Sequence, residues 1–343
     1  MKKFLNTLFV QTQGAYLNKE GEAVVVSVEK EVKLRVPIHT LGGVVCFGNV
    51  LCSPFLLGHC AENGVQVSLL TANGRFLARV QGPVSGNVLL RREQYRRADD
   101  LAASAEIARA IVLAKAANAR TVLQRASRDH EGKTGIELLD PAIGRLGRIL
   151  DEIRLETVLD SVRGKEGDAG RVYFEAFDSL ITAQKEDFFF KERSRRPPLD
   201  NMNALLSFIY TLLAHDCVGA LEGVGLDAQV GFLHRQRPGR PSLALDLMEE
   251  FRPFLADRLA LSLVNLRQVQ GKGFQKSESG AVEMDDDTRK TLLMAYQKRK
   301  QEEILHPFLN ETVPIGLLMH VQALLMARFL RGDLDGYPPF IWK

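Results

Sequence analysis

"AVVVSVEKEVKLRVPI", residues 23–38, decides the fold class of the first part of the chain. Val24, Val26 and Val28 share one face of an extended segment, and after a short charged break Val32, Leu34 and Val36 alternate with Lys33 and Arg35. A period of two marks strands, because successive side chains point to opposite faces of a sheet. The same pattern continues outward: LFVQT and AYL lead into the turn NKEG on the N-terminal side, and VQVSLL and RFLARV flank an Ala72-Asn73-Gly74 turn on the other. One helix interrupts the strands. Ser53 is placed to cap it, Pro54 suits its first position, and Gly64 after Asn63 ends it. The expectation is a small antiparallel β domain.

Gln81, Gly82, Pro83, Ser85 and Gly86 form a turn-rich hinge, after which the periodicity is helical, as in LAASAEIARAIVLAKAANARTVLQRA and NALLSFIYTLLAHDCVGALEGVG. Strands followed by helices predict an α+β protein with separately packed units rather than a βαβ sheet. The expected division is a β domain over 1–82, a hinge over 83–92 and a mostly α-helical domain over 93–343. GKGFQKSESGAVEMDDDTRK (271–290) lacks an apolar face and reads as a mobile loop, with Asp285 to Asp287 as caps for the helix that follows rather than as a metal site.

The whole composition bounds function loosely. With 343 residues, 45% hydrophobic and 25% charged, a sizeable core is expected. A net charge of +3 does not announce a polyanion partner, so any such partner must be met by local clusters of basic residues. Cys46, Cys52, Cys60 and Cys217 form no CxxC pair and sit among apolar residues, as reduced thiols do, and zinc is not expected. The N-terminal MKKFLNTLFV gives way to Gln11, Thr12 and Gln13 before a signal core can form, and no stretch reads as a membrane span, so a cytoplasmic protein is expected.

Chemistry concentrates in GFLHRQRPGRPSLALDLMEEFRP, residues 231–253. A helix starting near Pro241 or Ser242 places Ala244, Leu247, Met248 and Phe251 on a buried stripe and Asp246, Glu249 and Glu250 on a neighbouring face. Two carboxylates with a histidine just upstream suit a hard divalent cation, Mg²⁺ or Mn²⁺, and the nearby Arg235, Arg237 and Arg240 suit a phosphodiester. Acids three apart on an amphipathic helix are also an ordinary solvated face. A third ligand must come from elsewhere, and residue chemistry leaves Glu156, Glu166, Asp168 and Glu175 open; Gly164 and Gly167 would relax the backbone around Glu166.

RGKEGDAGRVYF, RSRRPPLDNMNALLSFIYTLL, GLDAQVGFLH and RPSLALDLMEEFRP follow one another in this order, behind VPIHTLGGVVCFGNVLCSPFLLGHCAENGVQVSLLTANGRFLARVQG. Together they resemble the CRISPR-associated adaptation integrase, the universal spacer-acquisition family Cas1, along nearly the whole chain. The resemblance implies Glu166, His234 and Glu249 as metal ligands, with Asp246 as an accompanying catalytic acid. It further implies Mg²⁺ or Mn²⁺, a homodimer formed through the β domains, and a complex with the small second adaptation protein, Cas2. That complex would carry a short DNA duplex to the CRISPR repeat. Ala169 and Gly170 depart from the paired alanines frequent in the family, and glycine there is expected to weaken a helix start.

The reaction implied is transesterification, in which a 3′-hydroxyl attacks a phosphodiester at the repeat boundary. A branched-DNA nuclease or a non-catalytic DNA scaffold are the alternatives. Three basic groups are candidate phosphate contacts: Arg91, Arg92, Arg96 and Arg97; Arg193, Arg195 and Arg196; and Lys290, Lys298, Arg299 and Lys300. Asn203 and Tyr210, seven apart on one helical face, are candidates to orient phosphate or metal-bound water, or else belong to the core. His215, His320 and Trp342 read as structural.

Overall fold

The computed structural model describes residues 6–80, 88–129 and 139–342. The chain divides into two compact units: Met1–Ser85 together with Met284–Glu302, and Gly86–Glu283 together with Glu303–Lys343.

The N-terminal segment of the first unit holds, among the described residues, eight strands and a helix: β1 (Asn6–Val10), β2 (Tyr16–Glu20), β3 (Ala23–Val28), β4 (Glu31–Pro37), β5 (Leu41–Phe47), β6 (Leu51–Cys52), α1 (Pro54–Glu62), β7 (Gln66–Leu70) and β8 (Phe76–Val80). They form two sheets, β1-β5-β7-β8 and β4-β3-β2-β6. The expected antiparallel pairing holds for β2-β3-β4 and for β7-β8, but β1 with β5, β5 with β7 and β2 with β6 are parallel. Parallel neighbours need a long connection, and α1 supplies it between β5 and β7. α1 starts as expected: Ser53 Oγ accepts from Leu56 N at 3.2 Å, Pro54 occupies the first position, and Gly64 follows at φ 65°.

Val24 and Val26 join Leu17, Val44, Cys46, Leu56 and Val67 in the core of this unit, with Val36 packed against it. Val32 and Leu34 remain 52% and 44% exposed on β4, the edge strand of its sheet among the described residues. Cys46 and Cys52 have free thiols with Sγ atoms 3.9 Å apart.

The second unit begins with α2 (Val88–Asp99), so 88–92, expected as hinge, are already helical; 81–87 lie outside the described residues. α3 (Leu101–Asp129), α4 (Leu139–Leu155) and α5 (Leu159–Glu175) pack together, the alanines of α3 allowing close approach. Gly164, Gly167 and Gly170 all lie inside α5, so Gly170 does not stand at a helix start, and the buried Ala169, Val172 and Tyr173 around it anchor the helix there.

α6 (Asn201–Gly223) is capped by Asp200, which accepts from Asn203 N at 2.7 Å. Contrary to the sequence reading, α6 is long and apolar enough to cross a membrane by length and composition. Its apolar residues are core residues here, with Met202, Leu205, Leu206, Ile209 and Leu213 at 0% exposure, which accounts for the composition.

α7 (Ser242–Glu249) runs into a π-helical turn, Arg252–Asp257, and then α8 (Arg258–Asn265). Pro253 lacks an N–H and breaks the α ladder at that point.

The segment 271–290 is more ordered than a loop. It forms a hairpin of β9 (Phe274–Lys276) and β10 (Val282–Met284), then α9 (Asp286–Gln301), with Asp285 accepting from Thr288 N at 2.8 Å as the expected cap. Val282 and Met284 give the hairpin the buried side that its polar composition conceals. A second hairpin, β11 (Glu303–His306) with β12 (Glu311–Pro314), leads to α10 (Leu318–Leu330).

Candidate active site

Asp246, Glu249 and Glu250 are at most 1% exposed, so the carboxylate face of α7 is not solvated. Burying three acids on one short helix requires compensation for each, and each finds a different kind.

Asp246 is held by backbone. Its Oδ2 accepts from Phe232 N at 2.6 Å and Leu233 N at 3.0 Å, and its Oδ1 from His234 N at 2.9 Å. The same Oδ1 lies 2.7 Å from His234 Nδ1. The other ring nitrogen, Nε2, faces Glu249 Oε1, 3.7 Å away. Four contacts thus engage the Asp246 carboxylate, three from backbone N–H groups and one with the His234 imidazole that it holds in place. The wrap depends on Gly231: a Cβ there would meet Asp246 Oδ2 at 2.6 Å and Ser242 C at 2.7 Å. Gln94 of α2 secures the approach to this loop, its Nε2 donating to Asp227 O and Val230 O at 2.8 and 2.7 Å while its Oε1 accepts from Asp227 N at 2.9 Å.

Glu249 is held by cations. Arg252 Nη1 lies 2.9 Å from Oε1 and Lys115 Nζ 2.7 Å from Oε2. Burial alone would raise its pKa, but Arg252, Lys115 and His234 outweigh it and hold the carboxyl down at about 2. Lys115 also bonds Glu166 Oε1 from α5, so one ammonium from α3 bridges the carboxylates of two other elements. Burial pushes the Lys115 pKa down, and Glu249 and Glu166 together push it further up, so it stays charged. Glu166 and Glu249 thus meet on Lys115 while His234 faces Glu249, and among the four acids left open by residue chemistry Glu166 is the one that reaches Lys115 and shares it with Glu249.

Two carboxylates and an imidazole are suitable donors for a hard divalent cation. As these side chains stand, no three His, Cys, Asp or Glu groups among the described residues are gathered closely enough to hold a metal ion. The carboxylates are gathered instead on the Lys115 ammonium. The donor set fits a cation, and the point where two of its members meet is occupied by the protein's own.

Glu250 belongs to a separate network: its carboxylate accepts from Tyr337 Oη, Gln322 Nε2 and Phe340 N and so ties the C-terminal segment to α7. Burial pushes its pKa up to about 7 against these hydrogen bonds.

A family profile described as CRISPR associated protein Cas1 matches residues 8–298. The chain belongs to the Cas1 family. It is 57% identical over its full length to the CRISPR-associated endonuclease Cas1 1 of Chlorobaculum tepidum and 52% to Cas1 2 of Rhodospirillum rubrum, covering 100% of both chains in each case. Among solved structures, a Cas1 protein from Thermotoga maritima has the same fold, with a TM-score of 0.82 at 22% identity over 96% of this chain and 99% of that one. A casposase bound to integration product does too, with a TM-score of 0.84 at 21% identity over 98% and 94%.

The expected DNA contacts divide when placed on this Cas1 fold. Arg235 and Arg237 are exposed on the loop between His234 and α7, with Arg240 half-buried beside them. Arg195 and Arg196 are exposed, whereas Arg193 is committed to the fold, donating to Asn203 Oδ1 at 2.6 Å and Ser207 Oγ at 3.0 Å. Asn203 is wholly buried and donates to Glu192 O and Asp200 Oδ2 at 2.8 and 2.6 Å, so it builds the start of α6 and has no capacity left for phosphate. Tyr210 donates to Asp257 Oδ1 at 2.6 Å, with Arg193 and Arg252 over its ring, and supports the site from behind.

Within the other groups, Arg97 bonds Glu93 and lies over Phe329, Lys300 is 5% exposed against Thr7 and Tyr296, and Arg299 pairs with Glu302. Trp342 is structural as expected, between Arg125 and Arg258. Lys115 and Arg252 escaped the sequence reading. The available signal for Lys115 was a lysine four residues after Ile111 and three after Val112, on the buried stripe of α3, where an unpaired charge is rarely tolerated.

Proposed function

We propose that the chain is a metal-dependent DNA integrase and endonuclease of CRISPR adaptation, which joins the 3′-hydroxyl ends of short spacer DNA to the repeat by transesterification. The observation that carries this reading is the convergence of Glu166 and Glu249 on one cation, with His234 facing Glu249, in a chain of the Cas1 family.

Glu166, His234 and Glu249 would hold Mg²⁺ or Mn²⁺, which when bound lowers the pKa of the attacking hydroxyl and stabilises charge on the phosphorane and the leaving oxygen. Asp246 keeps the His234 proton on Nδ1 and so keeps Nε2 available. Arg252 fixes the orientation of Glu249, and Tyr210 and Asp257 brace Arg252 from behind. Arg235, Arg237 and Arg240, flanking the same loop, hold DNA phosphates close to the site, and Arg195 and Arg196 extend that contact. Bond order is conserved: the 3′-oxygen forms a new ester to phosphorus, the old ester oxygen leaves, and no covalent enzyme intermediate is needed.

The partners in this reading are duplex spacer DNA, the CRISPR repeat, Cas2 and a second copy of the chain, in the cytoplasm. Val32, Leu34, Leu51 and Phe55 of the first unit, all exposed, favour self-association through the β domain. The test is strand joining with labelled 3′-hydroxyl DNA in Mg²⁺, Mn²⁺ or chelator. Metal-dependent joined product, absent for His234→Ala of intact fold, is the expected outcome. Cleavage without joining would reassign the chain as a branched-DNA nuclease, and binding with no strand chemistry would make it a scaffold.

A further inference from the structure

Lys115 lies where two carboxylates of the candidate site meet, and it also lines a cavity. That cavity has a volume of about 20 Å³ and is walled by Ala169, Gly170, Tyr173, Tyr210, Arg252 and Asp257. Such a volume accommodates roughly one water-sized group, and an ammonium is of that size. Beside the Arg252 guanidinium, the walls carry two acceptors for a cation. Asp257 is 1% exposed and accepts from Tyr210 through Oδ1. Tyr173 is 3% exposed, and its hydroxyl is buried beside the Asp257 carboxylate. A carboxylate and a neighbouring hydroxyl around a cavity of this size form a second acceptor position within reach of a flexible four-carbon stem.

The first position has a specific electrostatic consequence. With the ammonium in place, Glu166 and Glu249 are neutralised and held together; with it removed, two carboxylates are left with Arg252 and His234 against one of them. A divalent ion offers twice the charge at the same point, and the two cations cannot share it. We propose that Lys115 is a resident counter-cation, which pre-assembles Glu166 and Glu249 in the metal-free protein and is displaced by the incoming divalent metal into the cavity beside Asp257 and Tyr173. The proposal rests on the metal-dependent reading above and adds to it a site-gating role for a lysine and a receiving role for a buried aspartate.

Three variants of the full chain, stripped of metal with chelator, test this by Mn²⁺ binding, measured from the electron paramagnetic resonance of free Mn²⁺ and by calorimetry. Lys115→Met keeps the stem and removes the charge, and is expected to bind Mn²⁺ about tenfold or more tightly than wild type, because nothing must be displaced. Asp257→Asn weakens the receiving position and is expected to bind Mn²⁺ several-fold more weakly. In the Lys115→Met background Asp257→Asn is expected to change nothing, since no ammonium needs accommodating; a purely structural role for Asp257 would move both backgrounds alike.

Wild type that binds Mn²⁺, with Lys115→Met binding equally or more weakly, would overturn the displacement and leave the metal-dependent reading intact. Absence of Mn²⁺ binding in wild type and Lys115→Met together would overturn both. If circular dichroism shows Lys115→Met unfolded, Asp257→Asn in the wild-type background decides: unchanged Mn²⁺ affinity removes the second position and with it the proposal.

Discussion

Glu249 and Glu166 share one lysine but differ in what their loss costs. Glu249 is 1% exposed with Arg252 and Lys115 on its two oxygens, so Glu249→Ala leaves buried cations uncompensated and is expected to cost about 3–5 kcal/mol of stability as well as activity. The Glu166 side chain is 30% exposed, and Glu166→Ala should cost only about 1 kcal/mol or less while still abolishing joining. Urea unfolding of both variants beside strand joining checks this, and it makes Glu166 the cleaner probe of chemistry. Glu250 acts in the opposite direction. Its folded pKa of about 7 lies above that of an ordinary carboxyl, so the folded state retains a proton that the unfolded chain has lost. The stability it contributes is complete below about pH 4 and disappears as pH rises through about 7. Asp257, pushed up to about 6 chiefly by burial, adds to the same slope. Unfolding free energy should therefore fall between pH 5 and pH 8 by about 1–3 kcal/mol, and Glu250→Gln should flatten that fall.

At the scale of elements, the site is built where a tight loop wraps the start of a buried helix. Gly231 admits the Asp246 carboxylate and the Ser242-Leu243 backbone at distances no Cβ tolerates. Gly231→Ala is expected to destabilise the protein by about 1–3 kcal/mol and to lower joining further than its stability loss explains, because the displaced Asp246 no longer fixes His234. Thermal unfolding and the joining rate of the folded fraction separate the two effects. The π-helical turn after α7 serves the same site from the other side: the wider turn begins at Arg252, whose guanidinium returns to Glu249, and ends at Asp257, which receives Tyr210. α7 and this turn together explain why a helix of mainly apolar residues carries three buried acids.

For the whole molecule, a net charge of +3 leaves DNA affinity to local groups, and the structure reduces those groups to fewer arginines than the sequence offers. Arg235 and Arg237 are exposed on the loop between His234 and α7, Arg235 with Asp160 at 3.5 Å, while Lys300 and Arg193 are used internally. Arg235→Ala and Arg237→Ala should each weaken duplex binding with little sequence preference and reduce the slope of log affinity against log salt by about 1, whereas Lys300→Ala should act on stability and leave the slope unchanged. Titrations at several salt concentrations measure this directly.

Strand alternation at 23–38, the Ser53 and Asp285 caps and the amphipathic stripe of α7 were legible in the sequence, because each is set by spacing along one element. The motif around His234 and Glu249 was legible for the same reason, and resemblance added Glu166. What tertiary structure decided are relations between elements distant in sequence. The parallel pairing of β1, β5 and β7 depends on a crossover, the exposure of Val32 and Leu34 on β4 standing at a sheet edge, and the withdrawal of Asn203 and Arg193 on the turn before α6. Lys115 is the clearest case. Sequence alone determines that a lysine lies on a helical core stripe, and only the approach of α5 and α7 to α3 determines that its charge meets Glu166 and Glu249, since an isolated buried charge is intolerable until a partner from another element arrives to balance it.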